Sequence, residues 1–157
     1  MKIGILNLGY GNIFNISKIL IKLNVNFTLV SSLQDFENIS HLIIPGVGSY
    51  KQCMKKIRDK KIYQTLKKTI KEKPVLAICL GMQILFEESS ENGKTKGLGV
   101  LKGKVERIDN TKDGIKCPNF GYYKIKTEKN FKTLKNKEYY FANSYYCIPK
   151  KNQKIQV

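Results

Sequence analysis

The stretch Pro74-Val75-Leu76-Ala77-Ile78-Cys79-Leu80-Gly81-Met82-Gln83 constrains this chain more than any other. Behind a proline, apolar or small residues run from Val75 into Cys79, which reads as a buried strand. Leu80-Gly81 then turns the chain, and Met82 to Glu88 has helical composition. A thiol therefore stands where a strand stops and a helix begins. That is the context of a nucleophile elbow, with Cys in place of Ser. The sharp turn would lift the sulfur clear of its neighbours, and the positive end of the following helix would favour the thiolate. The competing reading is a buried core cysteine, the commoner fate of a free thiol on a strand.

Upstream the pattern alternates. Residues 2 to 7 form a strand, followed by the turn Leu8-Gly9-Tyr10-Gly11-Asn12. Ile13, Ile16, Leu20 and Leu23 then recur at helical spacing. Gly9-x-Gly11 lacks the third glycine of a dinucleotide fingerprint and reads as a strand-to-helix turn. Asn26 to Ser31 is a second strand and His41 to Ile44 a third, which ends in Pro45-Gly46-Val47-Gly48-Ser49. Ser49 is the expected N-cap of a helical region from Tyr50 to Lys73, split near Asp59-Lys60-Lys61, with Cys53, Met54, Ile57, Tyr63, Leu66 and Ile70 facing inward. Strand alternating with helix predicts an open, mostly parallel sheet with helices on both faces. Sites in such sheets form at the C-terminal ends of strands, where Cys79 and Gly46 to Gly48 both lie. His41, the one histidine, starts its strand and so stands at the opposite edge from the sulfur, a poor place for its base. After Glu88 the texture changes to a polar loop over Ser89 to Lys96, then short strands at Gly97–Leu101, Lys104–Ile108, Tyr122–Thr127 and Glu138–Cys147. This is an antiparallel β portion, and Lys150 to Val157 is a polar run.

At 157 residues the chain fits a single domain with a real core. No segment approaches a membrane span and the N-terminus does not read as a secretory signal, so a cytoplasmic protein is expected. Cys53, Cys79, Cys117 and Cys147 are widely spaced with no C-x-x-C pair. Neither a metal site nor a disulfide framework is suggested, and no cofactor is expected. The net charge of +17 invites a nucleic-acid reading. Against it, the lysines are spread along the whole chain and only Arg58 and Arg107 offer a guanidinium fork. A solvated lysine surface, binding polyanions weakly at low salt, is the reading preferred.

Three stretches in order carry more than any one of them: Ile44-Pro45-Gly46-Val47-Gly48, Ile78 to Glu87, and Tyr140-Phe141-Ala142-Asn143-Ser144-Tyr145-Tyr146. In this order and spacing the chain resembles the class I glutamine amidotransferases, with most likeness to the glutaminase subunits of imidazole glycerol phosphate synthase. Tyr10-Gly11-Asn12 with Ser17, and Gly97-Leu98-Gly99 with Gly103-Lys104-Val105, fit the same pattern. The resemblance implies a flavodoxin-like fold and a single amidotransferase domain over residues 1–157, short of its C-terminal segment. It implies that Cys79 attacks the side-chain amide of glutamine, releases ammonia and leaves a glutamyl thioester for water. Leu80 and the Val47–Gly48 turn would supply the oxyanion N–H groups. Gly46, Gly48, Gln83, Ser144 and Tyr145 would hold the glutamine. The partner would be a (β/α)₈-barrel synthase, forming a heterodimer, with no specific nucleic acid and no membrane involved.

The chain departs from that pattern in four ways. The family's His-x-Glu pair would lie beyond residue 157. Pro118-Asn119-Phe120-Gly121-Tyr122-Tyr123 stands where Pro-His-Met-Gly-Trp-Asn is usual, Asn143 where His is usual, and Ala77 where Gly is usual. These departures leave two other readings open. One is a docking remnant without glutaminase activity. The other is a related amidotransferase for another pathway, such as amination of a surface sugar.

Overall fold

In the computed structural model, residues 1–110, 116–125 and 137–150 are described. The chain divides into two units, residues 1–105 with 147–157, and residues 106–146.

Four short parallel strands carry the first unit: β1 (Ile3–Leu6), β2 (Phe27–Val30), β3 (His41–Ile44) and β4 (Val75–Ala77), in the order β2-β1-β3-β4. Ile5 pairs with Leu29 on one side and Ile43 on the other. Ile5 and Ile43 share a face and pack with Leu20, Ile13 and Ile16 of α1 (Ile13–Lys22). Leu6, Leu42 and Ile44 alternate onto the opposite face and are buried too. A parallel sheet covered on both faces is what the alternating pattern predicted.

The helical region from residue 50 is two helices, α2 (Tyr50–Asp59) and α3 (Tyr63–Glu72), with Cys53, Met54, Ile57 and Leu66 buried as expected. The break is a left-handed Lys61, φ 56°, with Ile62 N–H bonded back to Ile57 O at 3.2 Å. Asn24 closes α1 in the same way, φ 53°, with Val25 N–H on Leu20 O at 2.9 Å. Leu23, the C-cap of α1, is exposed rather than part of the inward stripe.

Two expectations fail here for clear reasons. The Val75–Cys79 run is not buried. Among the described residues β4 pairs only with β3, so it is an edge, and Leu76 and Ile78 are 58% and 40% exposed. An apolar run looks alike whether a strand is central or marginal. Nor does the helix run from Met82 to Glu88. α4 spans Leu80–Gln83 and stops, because the carbonyls of Ile84, Leu85 and Phe86 accept bonds from Leu98, Val100, Leu101 and Gly99 instead of from a next helical turn. The same bonds make residues 97–101 a loop folded onto the elbow helix rather than a strand.

The stretch 89–96 is a hairpin, not a loop. β5 (Glu88–Ser89) pairs antiparallel with β6 (Thr95–Lys96) across Asn92-Gly93, both at positive φ. Asn-Gly is the strongest short hairpin signal, and it stood in the sequence. β7 (Gly103–Arg107) runs parallel to β5, and the first unit's part of β10 (Tyr145–Pro149) completes the order β10-β7-β5-β6.

The second unit holds an antiparallel pair, β8 (Asn119–Lys124) and β9 (Glu138–Asn143). Cross-strand rings pack Tyr122 on Tyr140 with centroids 5.2 Å apart and Tyr123 on Phe141 at 5.9 Å. The expected extension of this strand to Thr127 lies in part, and the polar run after Lys150 wholly, outside the described residues.

Candidate active site

β4 delivers the chain into a turn it could not make from ordinary backbone. Ile78 N–H bonds Ile44 O at 2.9 Å, holding the end of β4 to the end of β3. The next residue, Cys79, sits at φ 52° and ψ −115°, a region L-residues rarely occupy. Cys79 O then accepts from Met82 and Gln83 N–H at 2.9 and 3.0 Å, which starts α4. The strand–turn–helix junction expected around the thiol is present, though its helix is a single turn.

Of the four cysteines, all free, Cys79 is the exposed one. Burial pushes the Cys53 thiol up to about 11. Burial, with Cys79 adding to it, pushes Cys147 up to about 11 as well. Both stay protonated and inert near neutral pH. Cys117 is half-buried, its sulfur 3.8 Å from Ser144 O. Exposure thus singles out the cysteine at the elbow and rejects the reading of Cys79 as a core residue.

The Pro45–Gly48 turn lies directly against this elbow. A Cβ on Gly46 would fall on Gly81 N and come within 2.7 Å of Leu80 Cβ. A Cβ on Gly81 would fall on Ile44 O. Only paired glycines let the two turns touch at this point. Val47 and Gly48 stand exposed beyond the contact, Gly48 at φ 99° in open space. Among the described residues the N–H groups of Val47, Gly48 and Leu80 make no hydrogen bond. Unbonded backbone donors beside an exposed thiol are what stabilising negative charge on an acyl oxygen requires. Gln83 is half-buried one turn beyond Cys79.

Ser49 does occupy the N-cap position of α2, but its side chain makes no capping bond. Glu91 caps the helix instead, its carboxylate accepting Tyr50 N–H at 2.8 Å. Sequence reasoning missed Glu91 because no local pattern joins residues 41 apart. It missed Glu87 too, whose carboxylate accepts Gly103 N–H at 2.9 Å and pairs with Lys102 and Lys150. His41 starts β3, its ring Nδ1 3.0 Å from Ser40 Oγ, at the end of the strand away from Pro45, as the sequence implied. Ala77 takes its place in β4 opposite Ile44, half-buried.

Ser144 and Tyr145 belong to the second unit, at the bend between β9 and β10. Ser144 O accepts from Ile108 N–H at 2.9 Å. Asn119 and Asn143 are directly opposite in the β8–β9 register. Among the described residues no three His, Cys, Asp or Glu side chains gather as a metal site needs. No helix there is long and apolar enough to cross a membrane.

The family described as Glutamine amidotransferase class-I matches residues 5–157. The chain is 37% identical over 154 residues to the imidazole glycerol phosphate synthase subunit HisH of Geobacillus kaustophilus, covering 94% of this chain and 73% of that protein. It is 36% identical over 154 residues to the same subunit of Prochlorococcus marinus strain SARG, covering 95% and 71%. A crystal structure of a glutamine amidotransferase superposes with a TM-score of 0.60 at 25% identity, over 77% of this chain and 62% of that one. With an exposed cysteine on a strained elbow, a glycine turn seated against it, and a family match over nearly its whole length, this chain belongs to the class I glutamine amidotransferases.

Proposed function

We propose that the chain is the glutaminase subunit of a synthase that makes imidazole glycerol phosphate, working in the cytoplasm. The Cys79 thiolate attacks the side-chain amide carbon of glutamine, ammonia leaves, and water hydrolyses the glutamyl thioester to glutamate. Leu80 N–H and an N–H of Val47 or Gly48 receive the oxyanion, each such donor contributing on the order of 10² to 10³ in rate. Gly46, Gly48 and Gln83 hold the substrate, and the family resemblance gives Ser144 and Tyr145 the binding of its amino-acid end. The ammonia passes to a (β/α)₈-barrel partner. The one histidine, His41, is at the wrong end of β3. In the family that resemblance points to, the base and its orienting carboxylate are a His-x-Glu pair, which residues 1–157 do not contain.

The observation that supports this most is the contact between the Gly46 turn and the Leu80–Gly81 elbow beneath an exposed Cys79. It is tested with a diazoketone analogue of glutamine, followed by intact-mass and peptide mapping. We expect saturable modification at Cys79, blocked by glutamine and absent from Cys79→Ala. Modification of Cys117 or Cys147 at the same rate as Cys79 would refute it. A second reading, an amidotransferase for another nitrogen acceptor, is favoured by Asn119, Tyr122 and Asn143, which depart from the usual pattern. Growth without histidine of a strain lacking its own glutaminase subunit, once given this gene, would exclude that reading.

A further inference from the structure

Within the second unit, a short run of amide hydrogen bonds ends on the backbone that the proposed function gives to glutamine. Asn119 and Asn143 face each other across β8 and β9, both half-buried. Asn119 Nδ2 donates to Asn143 Oδ1 at 3.3 Å, and Asn143 Nδ2 donates to Tyr145 O at 3.1 Å. One residue earlier, Ser144 O accepts from Ile108 N–H at 2.9 Å, with the Cys117 sulfur 3.8 Å away. Two successive carbonyls are thus tied down. A peptide group is planar and trans, so fixing a carbonyl also fixes the N–H on the other side of the same plane. Holding Ser144 O sets the direction of Tyr145 N–H, and holding Tyr145 O sets that of Tyr146 N–H.

The order of the bonds assigns the parts. A carboxamide presents an acceptor at one corner and a donor at the other, and a half-turn about its last bond exchanges them. Asn119 donates to one corner of Asn143, which obliges the other corner to be the donor that meets Tyr145 O. Without Asn119, only Tyr145 O is left to select that orientation, and the flipped one, oxygen against carbonyl oxygen, becomes less costly. Asn119 therefore acts only through Asn143.

We infer that Asn119 and Asn143 are positioning residues for the amino-acid end of glutamine, holding the Ser144–Tyr145 backbone in its binding conformation before substrate arrives. This rests on the reading that Ser144 and Tyr145 receive that end. Preorganisation of this kind improves affinity by removing an ordering cost, and leaves the chemistry at the sulfur alone.

The test uses the full chain and the same diazoketone, with the half-saturating concentration and the limiting rate of Cys79 modification measured separately. Iodoacetamide, which needs no binding site, serves as the control reagent. Asn143→Asp keeps the shape and the acceptor for Asn119 but cannot donate to Tyr145 O. We expect Asn143→Asp and Asn143→Ala to raise the half-saturating concentration about 3- to 10-fold, the range of one hydrogen bond. The limiting rate and the iodoacetamide rate should stay within about twofold of the parent, since neither depends on that bond. Asn119→Ala should shift the same quantity less, and the double alanine variant should match Asn143→Ala, as for residues acting in series. Asn143→Asp indistinguishable from the parent, a strictly additive double variant, or a parallel fall in the iodoacetamide rate would each overturn the inference while leaving the glutaminase reading standing. No saturable modification of the parent chain would overturn both.

Discussion

At the scale of single residues, two glycines of one turn do different work. Gly46 is required by what touches it, since an added Cβ meets Gly81 N and Leu80 Cβ. Gly48 is favoured by its φ of 99° with nothing within 4 Å. Gly46→Ala should therefore push the turn off the elbow, lower stability by about 1–3 kcal/mol as overpacking does, and slow modification of Cys79 by the glutamine diazoketone on the order of 100-fold. Gly48→Ala carries only the left-handed backbone penalty of about 1–2 kcal/mol and should slow it far less. Thermal denaturation and labelling kinetics on both variants decide it; equal losses would mean the contact does not position the site. The Cys79 elbow and the Gly46 turn were legible in the sequence because glycines at the ends of apolar runs mark sharp turns. The exposure that sets Cys79 apart from Cys53 was not, since burial depends on neighbours far along the chain.

Elements were legible where periodicity was strong. β1, α1, β3, α2 and α3 fall where the apolar spacing put them, because period and partner face agree there. α4 was misread in length because the carbonyls just past its end are claimed by a loop 14 residues on, as in Leu98 N–H to Ile84 O. The edge position of β4 was also hidden, and Glu87 shows the same distant control. Its carboxyl is held down to about 2 by Gly103 N–H first, then by Lys150 and Lys102. An unfolded glutamate titrates near about 4.3. A carboxyl lowered on folding adds stability that is full above the unfolded value and is lost as pH falls through the folded one. Glu87→Gln should therefore lower the unfolding temperature near neutral pH. The gap from the parent should shrink between about pH 4.5 and pH 2, the window set by the two titration values. A gap that stays constant down to pH 2 would show that the charge of Glu87 contributes nothing to holding Gly103 and Lys150.

For the whole molecule, the exposed edge matters more than the charge. Leu76 on β4 and Ile78 just past it, with Phe14, Ile19 and Ile21 on α1, are apolar side chains in solvent. A strand edge without a partner among the described residues, bearing such side chains, recruits other chains. We expect the isolated chain to self-associate at micromolar concentration despite its net charge of +17, and to melt broadly. Leu76→Lys with Ile78→Lys should restore a monomer in sedimentation velocity. A sharp transition independent of concentration in the parent would contradict this. A different consequence follows from the dihedral angles of Cys79. A side chain forced into a rarely populated basin stores on the order of 1–3 kcal/mol, and glycine alone escapes it. Cys79→Gly should therefore raise the melting temperature by about 2–4 °C per kcal/mol released in a chain of this size, while abolishing reaction with the analogue. Robustness and reactivity pull in opposite directions at this one position, so a search for hardier variants that ignored turnover would discard the proposed nucleophile among its first changes.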